Sequence, residues 1–392
     1  MVRLSRRNFL KSAVAAGVLL SAGGVIRAID QGGFATGRGA AYEPWHTWME
    51  EEAGKDPMLR LVRASILAAN AHNTQPWLYR LNEQGINIYA DISRNIGTMD
   101  PLFREMNISL GCAIENAIIS AKAYGYDAKA TIIPGQFDSI HIANIALTQG
   151  SPEQSELFHA IGSRHTNRAA YDRNKQVDSD VLQQLDRLAD DLPDVKAVWF
   201  ADASLKEKLG HCIIRATEAI VNDPIQAGDS HKWYRHDWDE IQRHKDGTTL
   251  DATGNSALTR FFGKLTPVSE QTSNNYWLKM TKEIHVPTAA VFGMILVKDQ
   301  SDRVQLLQAG RLWQRMHLWS AVHGLAMQPL NQPHERRDRE FQLGIEPVFG
   351  QAIMELTGEP GFEGVFTFRA GYPVSEGLAS PRRSAEEVLL AR

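Results

Sequence analysis

Two stretches of this chain, 199 positions apart, carry the same helical pattern, and a repeat of that kind constrains the fold more than any local propensity. Leu110-Gly111-Cys112-Ala113-Ile114-Glu115, continuing to Ala121-Lys122-Ala123-Tyr124-Gly125-Tyr126, aligns with Ala309-Gly310-Arg311-Leu312-Trp313-Gln314, continuing to Ser320-Ala321-Val322-His323-Gly324-Leu325. Each has glycines fourteen apart around an apolar face, and the second glycine suits a helix C-cap. The pattern implies two related halves, each built on one long helix.

A length of 392 residues suffices for one large domain or two ordinary ones. With 43% hydrophobic and 22% charged residues the chain has the composition of a soluble globular protein. Its formal charge of −4 gives no electrostatic case for nucleic acid. Two cysteines, Cys112 and Cys212, encode neither a disulfide framework nor a cysteine metal site, and both are expected in helices as small core residues. The histidines include no His-Glu-x-x-His pattern, so no metal is assigned. His231, His236 and His244 fall in a charged, Trp-rich stretch expected at the surface or in a lid.

The N-terminus reads as an address. Ser5-Arg6-Arg7-Asn8-Phe9-Leu10-Lys11 precedes an apolar Ala/Gly-rich run from Ser12 to Ile26, too short to span a bilayer conventionally. Paired arginines before Phe-Leu-Lys resemble the twin-arginine export signal, which implies the translocation machinery as a partner and a periplasmic or extracytoplasmic location. Gly39-Ala40-Ala41 offers small residues for cleavage, and retention as a membrane anchor is the alternative. Residues 1–41 are assigned to signal and linker.

Asp56-Pro57 suits an N-cap with proline at N1, opening a helix through Leu59, Leu61, Val62, Ile66 and Leu67. Gln75 precedes a proline and is therefore expected to be extended. Ile86, Ile88 and Ala90 alternate with polar residues as in a half-buried strand. Asp100-Pro101 opens the first long helix, and strands are expected at Ala130–Ile133 and Ser139–Leu147. Later come a helix from Asp178, a strand at Val195–Ala201, a helix from Ser204 to about Asn222, a buried strand at Thr288–Val297 and the second long helix from Asp302.

Ser163-Arg164-His165-Thr166-Asn167-Arg168 sets two guanidiniums four residues apart with a hydroxyl between them, a compact anion cradle. This cradle, Asn73-Thr74-Gln75-Pro76-Trp77, and the closing segment Phe368-Arg369-Ala370-Gly371-Tyr372-Pro373 with Pro381-Arg382-Arg383 resemble three signatures of the nitroreductase superfamily. The resemblance covers about 56–392. It implies an α+β nitroreductase-like fold and FMN as cofactor. In ordinary nitroreductases the basic motif precedes the Asn-x-Gln-Pro-Trp loop, whereas here it follows. A tandem duplication accounts for the reversal: halves at 42–150 and 151–392 form an intramolecular pseudo-dimer, and each supplies one side of a single flavin site. The arrangement resembles the Acg-like branch, in which one chain mimics the usual dimer and covers FMN with a lid; residues 222–285, rich in aromatics without clean periodicity, are the candidate lid.

By this resemblance Arg164, Thr166 and Arg168 hold the phosphate, with Arg382 or Arg383 completing the cradle. Asn70, Ala71 and Asn73 approach from the other half. Asn331 and Gln332, in Met327-Gln328-Pro329-Leu330-Asn331-Gln332-Pro333, lie by the reactive edge of the ring; the flanking prolines leave only Leu330, Asn331 and Gln332 as backbone donors. Ala69-Asn70 replaces the Pro-Ser usual in the family, which loosens the expected loop. No residue is assigned as catalytic, since the flavin would do the redox chemistry. Two functions stay open: an oxidoreductase reducing a nitroaromatic, quinone or similar small molecule, and a flavin-sequestering or redox-partner protein whose lid blocks turnover. A single site per chain implies a functional monomer.

Overall fold

The computed structural model describes residues 26, 32–50, 57–265 and 267–391. The paired-arginine motif at 5–11 and the N-cap candidate Asp56 lie outside the described residues. The first half opens with α1 (Glu43–Thr47) and α2 (Pro57–Ser65), whose inward face is Leu61, Val62, Ala64 and Ser65. The hairpin β1 (Trp77–Asn82) and β2 (Gly85–Ala90) follows, then the 20-residue α3 (Arg104–Ala123), β3 (Tyr126–Ile132) and β4 (His141–Gln149). These strands form an antiparallel sheet in the order β1-β2-β4-β3.

The second half repeats that plan with insertions. After α4 (Glu156–Ala160) come α5 (Ser179–Arg187), β5 (Val195–Phe200) and α6 (Ala203–Val221). An irregular stretch then holds α7 (Pro224–His231), β6 (Tyr234–Arg235), α8 (Trp238–His244), β7 (Thr248–Thr249), α9 (Ala257–Leu265) and α10 (Glu270–Met280). The fully buried β8 (Val291–Val297), the 20-residue α11 (Arg303–Val322), β9 (Ala326–Pro329), α12 (Gln332–Leu343), α13 (Val348–Thr357) and β10 (Glu363–Gly371) complete it. The second sheet runs β5-β8-β10-β9, the order of the first sheet in corresponding strands, and is also antiparallel.

The two long helices pack on each other between the sheets. A Cβ on Gly111 would meet the Leu307 carbonyl oxygen at 2.0 Å, and one on Gly310 would meet that of Ile108 at 2.0 Å. The reciprocal contact is that of a local two-fold: each glycine is the eighth residue of its helix and admits the other helix's backbone. The C-terminal tail closes the arrangement by returning to the first half, where Leu390 N–H donates to Tyr79 O at 2.7 Å and Arg382 N–H to Ala41 O at 2.7 Å.

The α+β architecture and most expected elements are present, with local differences. α3 begins at Arg104 rather than at Asp100-Pro101 because Asp100 acts as a remote cap, its carboxylate accepting from the N–H groups of Glu105 at 3.0 Å and Met106 at 2.9 Å. β3 starts at Tyr126, before the expected Ala130. Gln75 adopts a positive φ of 54°, not the extended form expected before proline. Cys112 and Cys212 are buried in helices as expected. Among the described residues no helix is long and apolar enough to cross a membrane.

Candidate functional site

The loop between α2 and β1 holds three non-glycine residues at positive φ, His72 at 45°, Asn73 at 55° and Gln75 at 54°. Such conformations cost roughly 1–2 kcal/mol for an ordinary side chain and persist only where bonds enforce them. Here the bonds come from several directions. Asn70 Oδ1 accepts from Gln75 N–H at 2.8 Å, and Asn70 Nδ2 donates to Ala68 O. Gln75 Nε2 donates to Lys245 O at 2.7 Å, Arg94 Nε to Thr74 O at 2.6 Å, and Arg383 Nη2 to Gln75 O at 2.5 Å. Asn70 thus ties the loop that the absent Pro-Ser was expected to leave loose.

Across from this loop the segment 163–168 runs between α4 and α5 without regular structure. Arg164 is buried, its Nη1 meeting His317 Nδ1 at 3.2 Å and its Nη2 donating to Leu67 O at 2.9 Å. Arg168 Nη1 donates to Ala252 O at 2.9 Å. Arg382 reaches in from the tail, bonded to Asn73 Oδ1 and to Ala68 O, with its guanidinium over Trp45. The three guanidiniums line a small annex of about 40 Å³ together with Thr166, His165 and Ser380. Among the described residues no carboxylate lines it, and the buried Arg164 Nε and Arg382 Nε have no hydrogen-bond partner. Burial pushes Arg164 and Arg168 down to about 10 and Arg382 well below the arginine range, while Arg164 further opposes Arg382. Buried cations without counter-charge are costly, and an anion in the annex would offset that cost.

The annex shares Asn70, Thr166 and Arg168 with a chamber of about 400 Å³. That volume falls within the range usual for small-molecule and cofactor sites. Trp313 and Phe366 line it from the second half's helix and sheet, Ser109 and Cys112 from α3, and Tyr234, Tyr276, Trp277 and Met280 from the irregular stretch 222–285. The expected lid segment therefore does form part of the wall. His285 is buried in that wall beside the Arg168 backbone; burial, then Arg369 and Arg168, holds it well below the usual histidine range and hence neutral. At the end formed by the start of α12, Gln332, Glu335 and Glu105 line the cavity.

The structure brings Arg164, Thr166, Arg168, Asn70, Asn73 and Arg382 to the annex, and Ala71, Asn331 and Gln332 to the chamber. Arg383 is different: it lines neither cavity, because its guanidinium is spent on the carbonyls of Gln75 and Trp77. Leu330 is removed as a free backbone donor, since its N–H bonds Thr367 O at 2.8 Å. His231 lines the chamber, whereas His244 is exposed. Sequence reasoning missed Glu105, Glu335, His72 and His285; a charge-dense helix start such as Gln332-Pro333-His334-Glu335 ordinarily signals solvent, and here it is buried. Among the described residues no group of His, Cys, Asp or Glu is placed to hold a metal ion.

No family model matches the chain. The chain is similar to nitroreductases. A Mycobacterium tuberculosis protein named as the NAD(P)H nitroreductase Rv3131 is 30% identical over 113 residues, 28% of this chain, and the match spans about a third of that relative's length (33%). Another from the same organism, named as the NAD(P)H nitroreductase acg, is 21% identical over 351 residues, covering 86% of this chain and 96% of the relative. Among solved structures, a Desulfitobacterium hafniense nitroreductase with bound FMN aligns at a TM-score of 0.37 and 9% identity, covering 61% of this chain and 100% of that one.

Proposed function

We propose that the annex and chamber bind FMN and that the protein is an FMN-dependent oxidoreductase acting on a small molecule such as a quinone or nitroaromatic. The observation that carries this reading is the annex: three guanidiniums without a carboxylate, two of them with orphaned Nε donors, beside an aromatic-lined chamber. An annex of about 40 Å³ has room for roughly three water-sized centres, the scale of a phosphate group. The residues present therefore fit the cofactor. Arg164, Thr166, Arg168 and Arg382 would hold its phosphate, and Asn331 and Gln332 would face its ring from the start of α12. Bound FMN supplies the two-electron chemistry. The chain's own part is to anchor the anion, to stack and exclude water with Trp313, Tyr276 and Trp277, and to keep His285 neutral in the wall. In this reading residues 42–150 and 151–392 are the halves of a pseudo-dimer that completes one such site.

A second reading, sequestration of flavin or partnership with another redox protein, is favoured by how firmly the 222–285 segment is tied down. Asp246 pairs with Arg94 at 2.5 Å and with Arg235 at 2.7 Å, and Asp229 accepts from the Thr98 N–H at 2.8 Å and its hydroxyl at 2.7 Å. The twin-arginine-like motif supports export of the folded chain through the translocation machinery to a compartment where NAD(P)H is scarce, so the electron donor would be of another kind. The test is to load the purified chain with FMN and compare reduction by NADPH with reduction by dithionite, then add a benzoquinone. Reoxidation by the quinone supports the oxidoreductase; a reduced flavin that the quinone cannot reach supports sequestration; no FMN binding overturns both.

A further inference from the structure

The chamber wall also carries two acidic residues that do not line the cationic annex. Glu105, on the first turn of α3, and Glu335, on the first turn of α12, both line the cavity and both are 5% exposed. Two carboxyls buried within reach of each other's charge are relieved when one proton is kept between them. Among the described residues Glu335 makes no ion pair, and the Arg104 charge that acts on it is shared with other carboxylates. Arg104 Nε is taken by Asp338 at 2.7 Å and its Nη2 by Glu105 at 3.2 Å, while Arg337 also turns to Asp338, at 2.8 Å. Arg336 and Arg339, farther along α12, pair with Asp223 before α7, at 3.2 and 3.0 Å. Asp100 adds a further carboxyl behind Glu105. Four buried carboxyls (Asp100, Glu105, Glu335 and Asp338) thus face two guanidiniums (Arg104 and Arg337). Glu335 Oε2 and Gln332 Oε1 are buried in the chamber wall without a partner.

We propose that Glu335, backed by Glu105, is the proton donor of the chamber: the pair shares one proton and gives it to a molecule reduced there. The proposal rests on the redox reading of the chamber given above. Two-electron reduction of a quinone or nitro group adds two hydrogens to the acceptor. A hydride carrier, here the class of reduced flavin, delivers one hydrogen with both electrons; the second must arrive as a proton. In the proposed step the Glu335 O–H bond breaks and a new O–H bond forms on the acceptor. The resulting carboxylate is reset by one proton from solvent, so charge and atoms balance over the cycle.

The protonation states agree with this geometry. Burial pushes Glu105 up to about 7, against Arg104 and with Asp100. Burial, then the Glu105 charge, holds Glu335 well above the carboxylate range. A buried acid that keeps its proton beside the reacting molecule is what general acid catalysis requires.

Three measurements on the full chain test the pair. Carboxyl infrared spectroscopy at pH 7 should show a protonated-acid band that Glu335→Gln removes. Because the folded chain keeps this proton to higher pH than the unfolded chain, wild-type stability should fall as pH rises from the ordinary carboxyl range through about 7 and beyond. The Glu335→Gln variant should lack most of that fall. With FMN bound and reduced by dithionite, reoxidation by a benzoquinone should be slowed at least roughly tenfold in Glu335→Gln, partly rescued in Glu335→Asp, and should slow with rising pH in wild type only. An unchanged infrared band, or FMN binding with an unchanged rate and pH profile in Glu335→Gln, would overturn the proposal alone. Failure of wild type to bind FMN would overturn the proposed function and the donor role with it, while the band and the stability profile would still report whether the proton is shared.

Discussion

Arg168 is a cleaner probe of the annex than Arg164. Arg164 also holds Leu67 O and His317, so truncating it would leave buried groups unpaired, whereas among the described residues the Arg168 side chain makes one hydrogen bond, to Ala252 O. Charge-assisted bonds to a phosphate are worth roughly 1.5–3 kcal/mol. Arg168→Ala should therefore weaken FMN about ten- to a hundredfold. It should barely change the affinity for riboflavin, which lacks the phosphate, and Arg168→Lys should fall between because a point charge replaces a fork. Fluorescence-quenching titrations of both flavins measure this; equal losses for FMN and riboflavin would make the arginine structural. At this scale the cationic half of the site was legible, because an Arg-x-Thr-x-Arg run announces its chemistry wherever it folds. The acidic half was not. Glu335 stands in His334-Glu335-Arg336-Arg337-Asp338-Arg339-Glu340, a run whose charges read as solvated, and only tertiary pairing across α3 and α7 accounts for its burial. The choice between Arg382 and Arg383 was left open for the converse reason: adjacent arginines look alike in sequence, and the turn of the tail brings Arg382 to the annex.

At the scale of elements, the paired glycines of α3 and α11 were visible as a spacing, but what they do depends on the crossing of the helices. Alanine ordinarily improves a helix over glycine by about 1 kcal/mol. At Gly111 and Gly310 the added Cβ would sit 2.0 Å from a backbone oxygen of the opposite helix, which has no rotamer by which to yield. Overpacking of this kind costs typically 1–3 kcal/mol. Gly111→Ala and Gly310→Ala should each lower the midpoint of thermal unfolding, and a rise in either would mean the helices are not in close contact there. The start of α3 shows where local rules fell short. Asp100-Pro101 has the chemistry of a cap, yet Asp100 serves N–H groups five and six residues on, and the intervening turn has Phe103 at a φ of 56°. Gln75 escaped the extended form expected before proline for a similar reason, since bonds from Lys245 and Arg383 lie far away in sequence.

At the scale of the whole molecule, the reversed order of motifs was the informative feature, because only a chain with two halves can complete one site from both. The two sheets have matching strand orders, as related halves would, whereas the insertion between β5 and β8 left no pattern from which its packing could be read. Export belongs to this scale too. If the paired arginines are an address, replacing Arg6 and Arg7 by lysine should retain the chain in the cytoplasm with its FMN affinity unaltered, since a receptor reads the pair rather than bulk charge. Cell fractionation of the double variant measures this, and normal export would defeat the assignment.

The duplication also bears on stoichiometry, because a two-fold arrangement offers a second place equivalent to the chamber and annex. The residues that would build it differ. Cys112, which lines the chamber one residue after Gly111, corresponds to Arg311 one residue after Gly310, and Arg311 pairs with Glu115 at 2.7 Å. Arg315 also pairs with Glu115, at 2.6 Å, donates to Leu188 O at 2.9 Å and pairs with Asp191, tying down the loop after α5 that corresponds to the loop after α2. The stretch Tyr42–Lys55, which precedes α2 as the cradle precedes α5, contains no arginine to receive a phosphate. One side thus has a cationic annex, while on the other the corresponding arginines Arg311 and Arg315 are committed to ion pairs with Glu115 and Asp191. The purified chain should therefore bind one FMN and do so as a monomer. Flavin absorbance per protein, combined with mass from light scattering, measures both. Two flavins per chain, or a dimer required for binding, would show that the equivalent place also takes a flavin or that the site is completed between chains rather than within one.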